Sequence, residues 1–367
     1  MPYRDTRLNA ICPYFTMFPL DFPLALLQRN SCSEDIVLDP FCGRGTVTYA
    51  SHLLGLRSIS IDSNPVAIAI TRAKLVTTRP SSIVRAAKTI LLNHPDPNDV
   101  PTGDFWRWAF HPETLNILCR LREGLLNDCK SQPRSALQAI ILGALHGPLG
   151  KTYYSYFSNQ SPRTFAPKPR YAVNFWRQRR LRPPRVDVMN IIETRAHRYY
   201  SGSLMSSRGI VIRADSRREK AYANLNTIHG VRWVITSPPY YGLCTYLPDQ
   251  WLRLWFLGGE PTVDYRNEQQ ISHSNPESFV SDLRSVWRNV SDRCATNARL
   301  VIRFGGISSR NADPRELIRE SLRSSSWKIS TIIPAGSASD GRRQAYHHCF
   351  TGNRAIPEYD VWARMAA

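Results

Sequence analysis

The sequence predicts an α/β fold: a doubly wound, Rossmann-like sheet of mostly parallel strands, interrupted after its second strand by a large, mainly helical and basic insertion. Three observations carry this. Near the start, apolar runs ending in Asp39 and Asp62 alternate with helical patterns, and such βαβα alternation implies a parallel sheet. Strand-like runs return only with "GIVIRADS" at 209–216. Between them lie proline-punctuated helical periodicities, followed by a stretch, residues 151–220, in which 16 Lys and Arg face 4 Asp and Glu.

Residues 12–30, "CPYFTMFPLDFPLALLQRN", gather aromatics and prolines before a short helix. "DIVLDPFCGRGT", 35–46, is a strand opening into a glycine turn, and "VTYASHLLGL" continues as a helix. "RSISIDSNP", 57–65, is a second strand, and "VAIAITRAKL" a second helix. Helical periodicity then runs through "SSIVRAAKTILL", "PETLNILCRLREGLL" and "SALQAIILGAL". Strands resume with 209–216, "VRWVITS" at 231–237 and "ARLVIRFGG" at 298–306, while "WKISTIIPAG" and "RQAYHHCFTGN" are expected to close the sheet as an antiparallel pair. "YLPDQWLRLWFLGG", 246–259, reads as a core helix, with Asp249 and Gln250 at its start. These switches divide the chain into 1–78 and 206–367, two parts of one catalytic domain, and 79–205, the insertion.

At 367 residues, 42% hydrophobic and 21% charged, the chain has the composition of a globular protein. Its net charge of +19 points to a polyanionic partner, most often nucleic acid. Eight cysteines form no CxxC pair, so neither a zinc site nor a disulfide scaffold is expected. His347 and His348, beside Cys349, are adjacent on a predicted strand and point to opposite faces, which disfavours a metal. No metal is expected. The first residues lack the apolar core of a signal peptide, and no apolar run approaches 18 residues, so a reducing cytoplasmic setting is expected, with no membrane partner.

Gly43 and Gly45 stand where a strand hands over to a helix, where glycine permits positive φ and close approach of backbone to a ligand. A tight turn without ligand is the plain alternative. Asp62 ends the next strand, 17 residues after Gly45. In doubly wound folds an acid there accepts hydrogen bonds from ribose hydroxyls. The turn is neither GxGxxG nor a Walker A loop, which leaves S-adenosylmethionine as the candidate cofactor, its carboxylate at the glycine turn and its ribose at Asp62.

"DPFCGRGT" followed by "TSPPYYG" resembles the S-adenosylmethionine-dependent amino-methyltransferases that modify exocyclic amines of DNA bases, whose motifs read DPFxGxGT and [DNS]PP[YFW]. The serine form is the more typical of cytosine-N4 enzymes. The resemblance implies a class I methyltransferase fold, a seven-stranded sheet with a C-terminal antiparallel hairpin. It also implies cofactor contacts from Tyr14 and Phe18 in "YFTMFPLDFPLALL", from Asp39, Pro40, Phe41, Gly43, Gly45 and Thr46, from Asp62 and Ser63 in "SIDSNP", from Asp215 in "ADSR", and from Ser237.

The catalytic residues implied are Ser237, Pro238, Pro239 and Tyr240. An exocyclic amine is a poor nucleophile because its lone pair is delocalised into the ring. Ser237 Oγ and the Pro238 carbonyl can accept its protons, the prolines make that turn rigid, and Tyr240 can stack on an extruded base. Transfer is then a direct displacement at the methyl carbon, so Cys42 and Cys244 read as packing. Arg303 reads equally as a DNA contact or a structural residue.

The basic insertion is the expected DNA-binding surface, through Arg163, Lys168, Arg170, Arg177, Arg179, Arg180 and Arg182, while its aromatics read chiefly as core. Double-stranded DNA is the expected partner, with restriction-modification or phage-defence proteins implied by the resemblance and a nucleoid-associated location with them. The alternatives are adenine-N6 methylation, an RNA (tRNA or rRNA) amino-methyltransferase, and a non-catalytic DNA-binding module.

Overall fold

A computed structural model of the chain describes residues 6–14, 19–148, 155–161, 168–202, 208–225, 230–242, 246–264, 271, 273, 275–306, 312–323, 325–337 and 357–366. It divides into two compact units. One is built on a sheet and comprises Tyr14–Thr71, Ser207–Cys244 and Asn267–Ala367; the other is helical and comprises Met1–Pro13, Arg72–Ser206 and Thr245–Arg266.

After a 3-10 turn at Arg7–Ala10 come α1 (Asp21–Asn30), β1 (Ile36–Asp39), α2 (Thr46–Leu53), β2 (Arg57–Asp62) and α3 (Pro65–Ala73). Helices α4 (Pro80–Asn93), α5 (Asp104–Ala109), α6 (Pro112–Asn127), α7 (Gln132–Ala144), α8 (Pro169–Gln178) and α9 (Val188–Tyr200) follow without a strand among the described residues. The sheet resumes with β3 (Gly209–Arg213) and β4 (Val231–Thr236), is left for α10 (Tyr246–Phe256), and is completed by α11 (Pro276–Ser291), β5 (Cys294–Phe304), α12 (Pro314–Leu322), β6 (Trp327–Ser337) and β7 (Pro357–Met365). Proline opens α4, α6, α7, α8, α11 and α12 within the first turn, where its missing N–H and fixed φ cost nothing.

The seven strands lie in the order β3-β2-β1-β4-β5-β7-β6. Pairings from β3 through β5 are parallel, and β7 is antiparallel to both neighbours. This is the class I methyltransferase topology that the sequence predicts. β1, an interior strand between β2 and β4, is buried along its whole length, as a parallel strand covered on both faces must be. Leu38, Ile61, Val234, Leu300 and Ile302 of the sheet share a core with Phe279, Leu283 and Trp287 of α11.

One strand differs from expectation. The partner of β6 is Pro357–Met365, with Ile332 opposite Val361 and Trp327 opposite Met365; the expected partner, "RQAYHHCFTGN" at 343–353, lies outside the described residues. The alternation of β7 is obscured by its acids. Glu358 and Asp360 are buried on the same strand as Val361 and Ala363 because each has a cationic or hydroxyl partner within the unit.

In the helical unit, α4 packs against α6, α7 and α9, and α5 against α8. Phe105 and Trp106 of α5 meet Trp251 and Trp255 of α10 in an aromatic core, and Trp176 of α8 joins it through Phe105. α10 therefore serves a core, as its spacing predicts, but that of the helical unit. Asp249 and Gln250 are buried at its start, and Arg253 is buried with its Nε donating to the Leu142 carbonyl and Nη1 to Gln250. No helix among the described residues is long and apolar enough to cross a membrane.

Candidate active site

β1 and β4 are parallel neighbours, and the strand order reverses between them. The crevice outside the carboxyl ends of the strands at such a switch point is where open α/β sheets bind ligands. β1 delivers the glycine turn there and β4 delivers "SPPYYG". Asp39, the last residue of β1, ties the two together: its Oδ1 accepts from the Phe41 N–H at 3.1 Å and from the Thr236 hydroxyl at 2.7 Å. Asp39 is thus a buried brace on Thr236, the residue immediately before Ser237, and Pro40 next to it in the chain is buried too.

Burial pushes the Asp39 carboxyl up to about 7, against the pull of those hydrogen bonds, and Asp62 adds repulsion. Burial likewise raises Asp62 to about 6. A carboxyl whose pKa is higher folded than unfolded gives stability that is complete below the unfolded value, near 4, and lost as pH rises through the folded value. The melting temperature of the cofactor-free protein is therefore expected to fall between pH 5 and pH 7.5. Asp39→Asn, which keeps an acceptor for Thr236, should flatten that slope; thermal melts across the range check it, and an unchanged slope contradicts it.

The turn after β1 is compact. Gly45 N–H donates to the Cys42 carbonyl at 2.7 Å, and Gly43 and Gly45 have φ of +49° and +72°. A Cβ on Gly45 would lie 2.6 Å from the Thr71 hydroxyl, and one on Gly43 would lie 3.6 Å from the Tyr14 ring. Thr71 in turn donates to the Gly43 carbonyl at 3.1 Å. Cys42 is buried, and Phe41 sets its ring edge-to-face with Trp287. Thr46 is buried at the start of α2, whose first turn carries no acidic residue and no side-chain cap.

Asp62 ends β2 beside this turn. Its Oδ2 accepts from Gly43 N–H and its Oδ1 from Asn64 N–H, both at 2.8 Å, and the Ser63 N–H contributes a third bond. Asn64 Nδ2 also donates to the Tyr14 hydroxyl at 3.1 Å. A carboxylate has about four lone-pair sites, so Asp62 both shapes the turn and keeps capacity for a ligand hydroxyl. Phe18 lies outside the described residues.

Asp215 follows β3 and is engaged by its own chain. The Arg217 guanidinium grips both carboxylate oxygens, with Nη2 to Oδ2 at 2.7 Å, and Nη1 reaches Asp282 at 2.8 Å. Burial raises the Asp215 pKa, but the Arg217 side-chain and backbone bonds outweigh it and hold the carboxyl below its ordinary value.

Ser237 and Pro239 are half-buried and Pro238 is buried. Tyr240 is only 6% exposed: its hydroxyl donates to Glu358 Oε1 at 2.6 Å, its ring sits edge-to-face with Phe304 at 5.4 Å, and Gly305 leaves room for it. Tyr240 is thus a clamped ring, not the open platform that "SPPYY" alone suggests. Tyr241 packs on Phe279, and the Gly242 N–H donates to His273 Nδ1 at 3.0 Å. Arg303 is structural: it is buried, paired bidentately with Asp360 at 2.7 Å, and lies over the Phe22 ring.

Residues 3–73 match the family model of the N6/N4 DNA methylases, described as DNA methylase. Over this segment the chain is similar to the amino-methyltransferases. It contains Tyr14, the glycine turn, Asp62 and Thr71, so the resemblance read from the motifs and the family found by the match are the same. No curated protein sequence matches the chain. Among solved structures, the chain is similar to an rRNA methyltransferase, aviRa, of Streptomyces viridochromogenes (11% identity, 99% of this chain and 94% of that one, TM-score 0.37). It is similar also to an rRNA methylase of Streptococcus thermophilus (10% identity, 96% and 99%, TM-score 0.33). A third is a geranyl diphosphate methyltransferase solved with GPP and sinefungin (8% identity, 94% and 77%, TM-score 0.35). Likenesses this distant do not bear on what is methylated.

The helical unit of the methyltransferase holds the basic residues. Lys168 and Arg170 are exposed at the start of α8. Arg177 pairs with Asp104 at 2.8 Å and lies over the Trp108 ring; Arg182 covers the same ring at 4.2 Å, and Arg179 covers Phe175 at 3.8 Å. Arg180 is exposed. Arg163, Cys244 and the His347–Cys349 cluster lie outside the described residues. Trp176 and Phe157 are core, as expected of the aromatics here.

Several site residues carried no local signal. Thr71 lies 28 residues from the Gly43 carbonyl it binds, and Glu358 lies 118 residues from Tyr240. Thr236 is inside the quoted strand, but its tie to Asp39 exists only once β1 and β4 are paired.

Proposed function

We propose that this methyltransferase transfers a methyl group from S-adenosylmethionine to an exocyclic amine of a base flipped out of duplex DNA, cytosine N4 first and adenine N6 second. The observation that carries the reading is the braced pair of turns: the glycine turn of β1 and the SPPY turn of β4 leave adjacent strands and are joined by Asp39. The residues fit the cofactor. The uncapped, acid-free first turn of α2 offers N–H groups suited to a carboxylate, Asp62 suits ribose hydroxyls, and Tyr14 lies over Gly43.

When bound, S-adenosylmethionine supplies an electrophilic methyl group on a sulfonium. The chain's own residues do the rest. Ser237 Oγ and the Pro238 carbonyl accept the two N–H bonds of the amine and so favour a lone pair directed out of the ring plane. The consecutive prolines fix these acceptors before substrate arrives, so no reorganisation is spent at the moment of transfer. Tyr240, clamped by Glu358 and Phe304, forms a fixed wall of the site. The insertion's cations bind phosphates, and host protection beside a restriction or defence system is the setting the resemblance implies.

Asp62→Ala tests the cofactor half of this reading. It removes the ribose acceptor and the partner of the Gly43 and Asn64 N–H groups. Affinity for S-adenosylmethionine by isothermal titration is expected to fall by about 1–3 kcal/mol; unchanged affinity contradicts the assignment.

A further inference from the structure

Three helices end in the same way. At the end of α2, Gly55 has φ +74°, its N–H donates to the His52 carbonyl, and the Leu56 N–H donates to the Ser51 carbonyl. At the end of α10, Gly258 has φ +99°, with the Gly258 N–H on Trp255 and the Gly259 N–H on Leu254. Both are Schellman motifs, with glycine at the left-handed position just past the helix. The end of α8 repeats the pattern: the Arg180 N–H donates to Arg177 at 3.1 Å and the Leu181 N–H to Trp176 at 2.9 Å. Here the left-handed residue is Arg180, with φ +52°, and among the described residues it is the one non-glycine with positive φ.

An L side chain in that conformation is strained, and such strain persists where the side chain is needed. Helix-dipole complementarity does not account for it, because Arg177 and Arg179 already place cations at that end. The neighbours of Arg180 are engaged: Arg177 and Arg182 on Trp108, Arg179 on Phe175, and Arg177 also with Asp104. Arg180 is exposed and makes no ion pair with a described residue. Stacking on aromatic rings holds the flanking guanidiniums in fixed positions, which lowers the entropy lost when they meet an anion.

We infer that Arg180 is held at the end of α8 as a contact to the phosphate backbone of duplex DNA, in a backbone conformation that lowers the stability of the folded protein. This rests on the DNA reading above. It adds that this position carries a binding residue where glycine would suit the backbone better.

The test is Arg180→Gly, with Arg180→Lys as control, in the full chain. Glycine is expected to raise the melting temperature by about 1–3 °C, the size of shift a relieved backbone strain gives in a protein of this length. It is also expected to weaken binding to a short DNA duplex about five- to tenfold at 0.1 M salt, and to reduce the slope of log K against log salt by about 0.9, the value of one phosphate contact. Lysine should keep both the slope and the wild-type melting temperature. A lower melting temperature for Arg180→Gly overturns the strain, and an unchanged slope overturns the contact. A slope reduced on an RNA duplex but not on DNA overturns the choice of partner. None of these readouts uses the cofactor, so failure of the wild-type protein to bind S-adenosylmethionine would count against the proposed function alone.

Discussion

Gly45→Ala is expected to destabilise the sheet unit by about 2–5 kcal/mol and to abolish measurable S-adenosylmethionine binding. Two costs add. Alanine at φ +72° pays roughly 1–2 kcal/mol for the left-handed backbone. Its Cβ would also fall 2.6 Å from Oγ1 and 2.7 Å from Cγ2 of Thr71. Thr71 is fully buried, β-branched and bonded to the Gly43 carbonyl, so it cannot turn away cheaply; overpacking of this kind costs about 1–3 kcal/mol. Adding Thr71→Ala should recover the steric part but not the backbone part, a coupling that a double-mutant cycle in urea reads directly. If Gly45→Ala matches wild type in both stability and cofactor affinity, the turn is not the cradle described here.

Ser237→Ala is expected to slow methyl transfer about 100- to 1000-fold, the loss typical of removing one preorganised polar group from a site where charge develops. Cofactor affinity and stability should hardly change, because the half-buried Ser237 side chain is not part of the Asp39 brace, which runs through Thr236. An interaction strongest in the transition state lowers the rate of the chemical step and leaves ground-state binding intact. Single-turnover transfer of tritiated methyl to duplex DNA, beside titration of the cofactor, measures both. A wild-type rate would remove Ser237 from the mechanism.

Much of this was legible in the sequence, and the reasons divide cleanly. The central strands were readable because "IVLD" and "VRWVIT" are continuous apolar runs bounded by breakers, the signature of strands buried on both faces. β7 was not, because Glu358 and Asp360 interrupt its apolar alternation and are neutralised by partners far away in sequence: Tyr240 for the first, Arg303 for the second. The glycine turn and Asp62 were found from spacing, but Asp62 looked like a ligand residue only, and its grip on the Gly43 and Asn64 N–H groups emerged from the fold. Asp215 carries the motif, yet two residues on stands Arg217, whose guanidinium the fold closes over its carboxylate. Tyr240 stands out in the sequence as a ring beside the prolines, while its clamping by Glu358 and Phe304 depends on the C-terminal strands. The placement of α10 in the helical unit was equally hidden, since its Trp and Leu spacing says that it is buried and not in which core.

The central claim is that the SPPY turn presents an exocyclic amine of a DNA base to the methyl donor. Digestion of duplex DNA after incubation with the purified chain and isotopically labelled S-adenosylmethionine, with mass spectrometry of the nucleosides, tests it most directly. The account predicts labelled N4-methylcytosine. Label in N6-methyladenine would contradict the choice of base and leave the mechanism standing. Label appearing only in an RNA substrate, or on no nucleoside while the cofactor binds, would contradict the account itself.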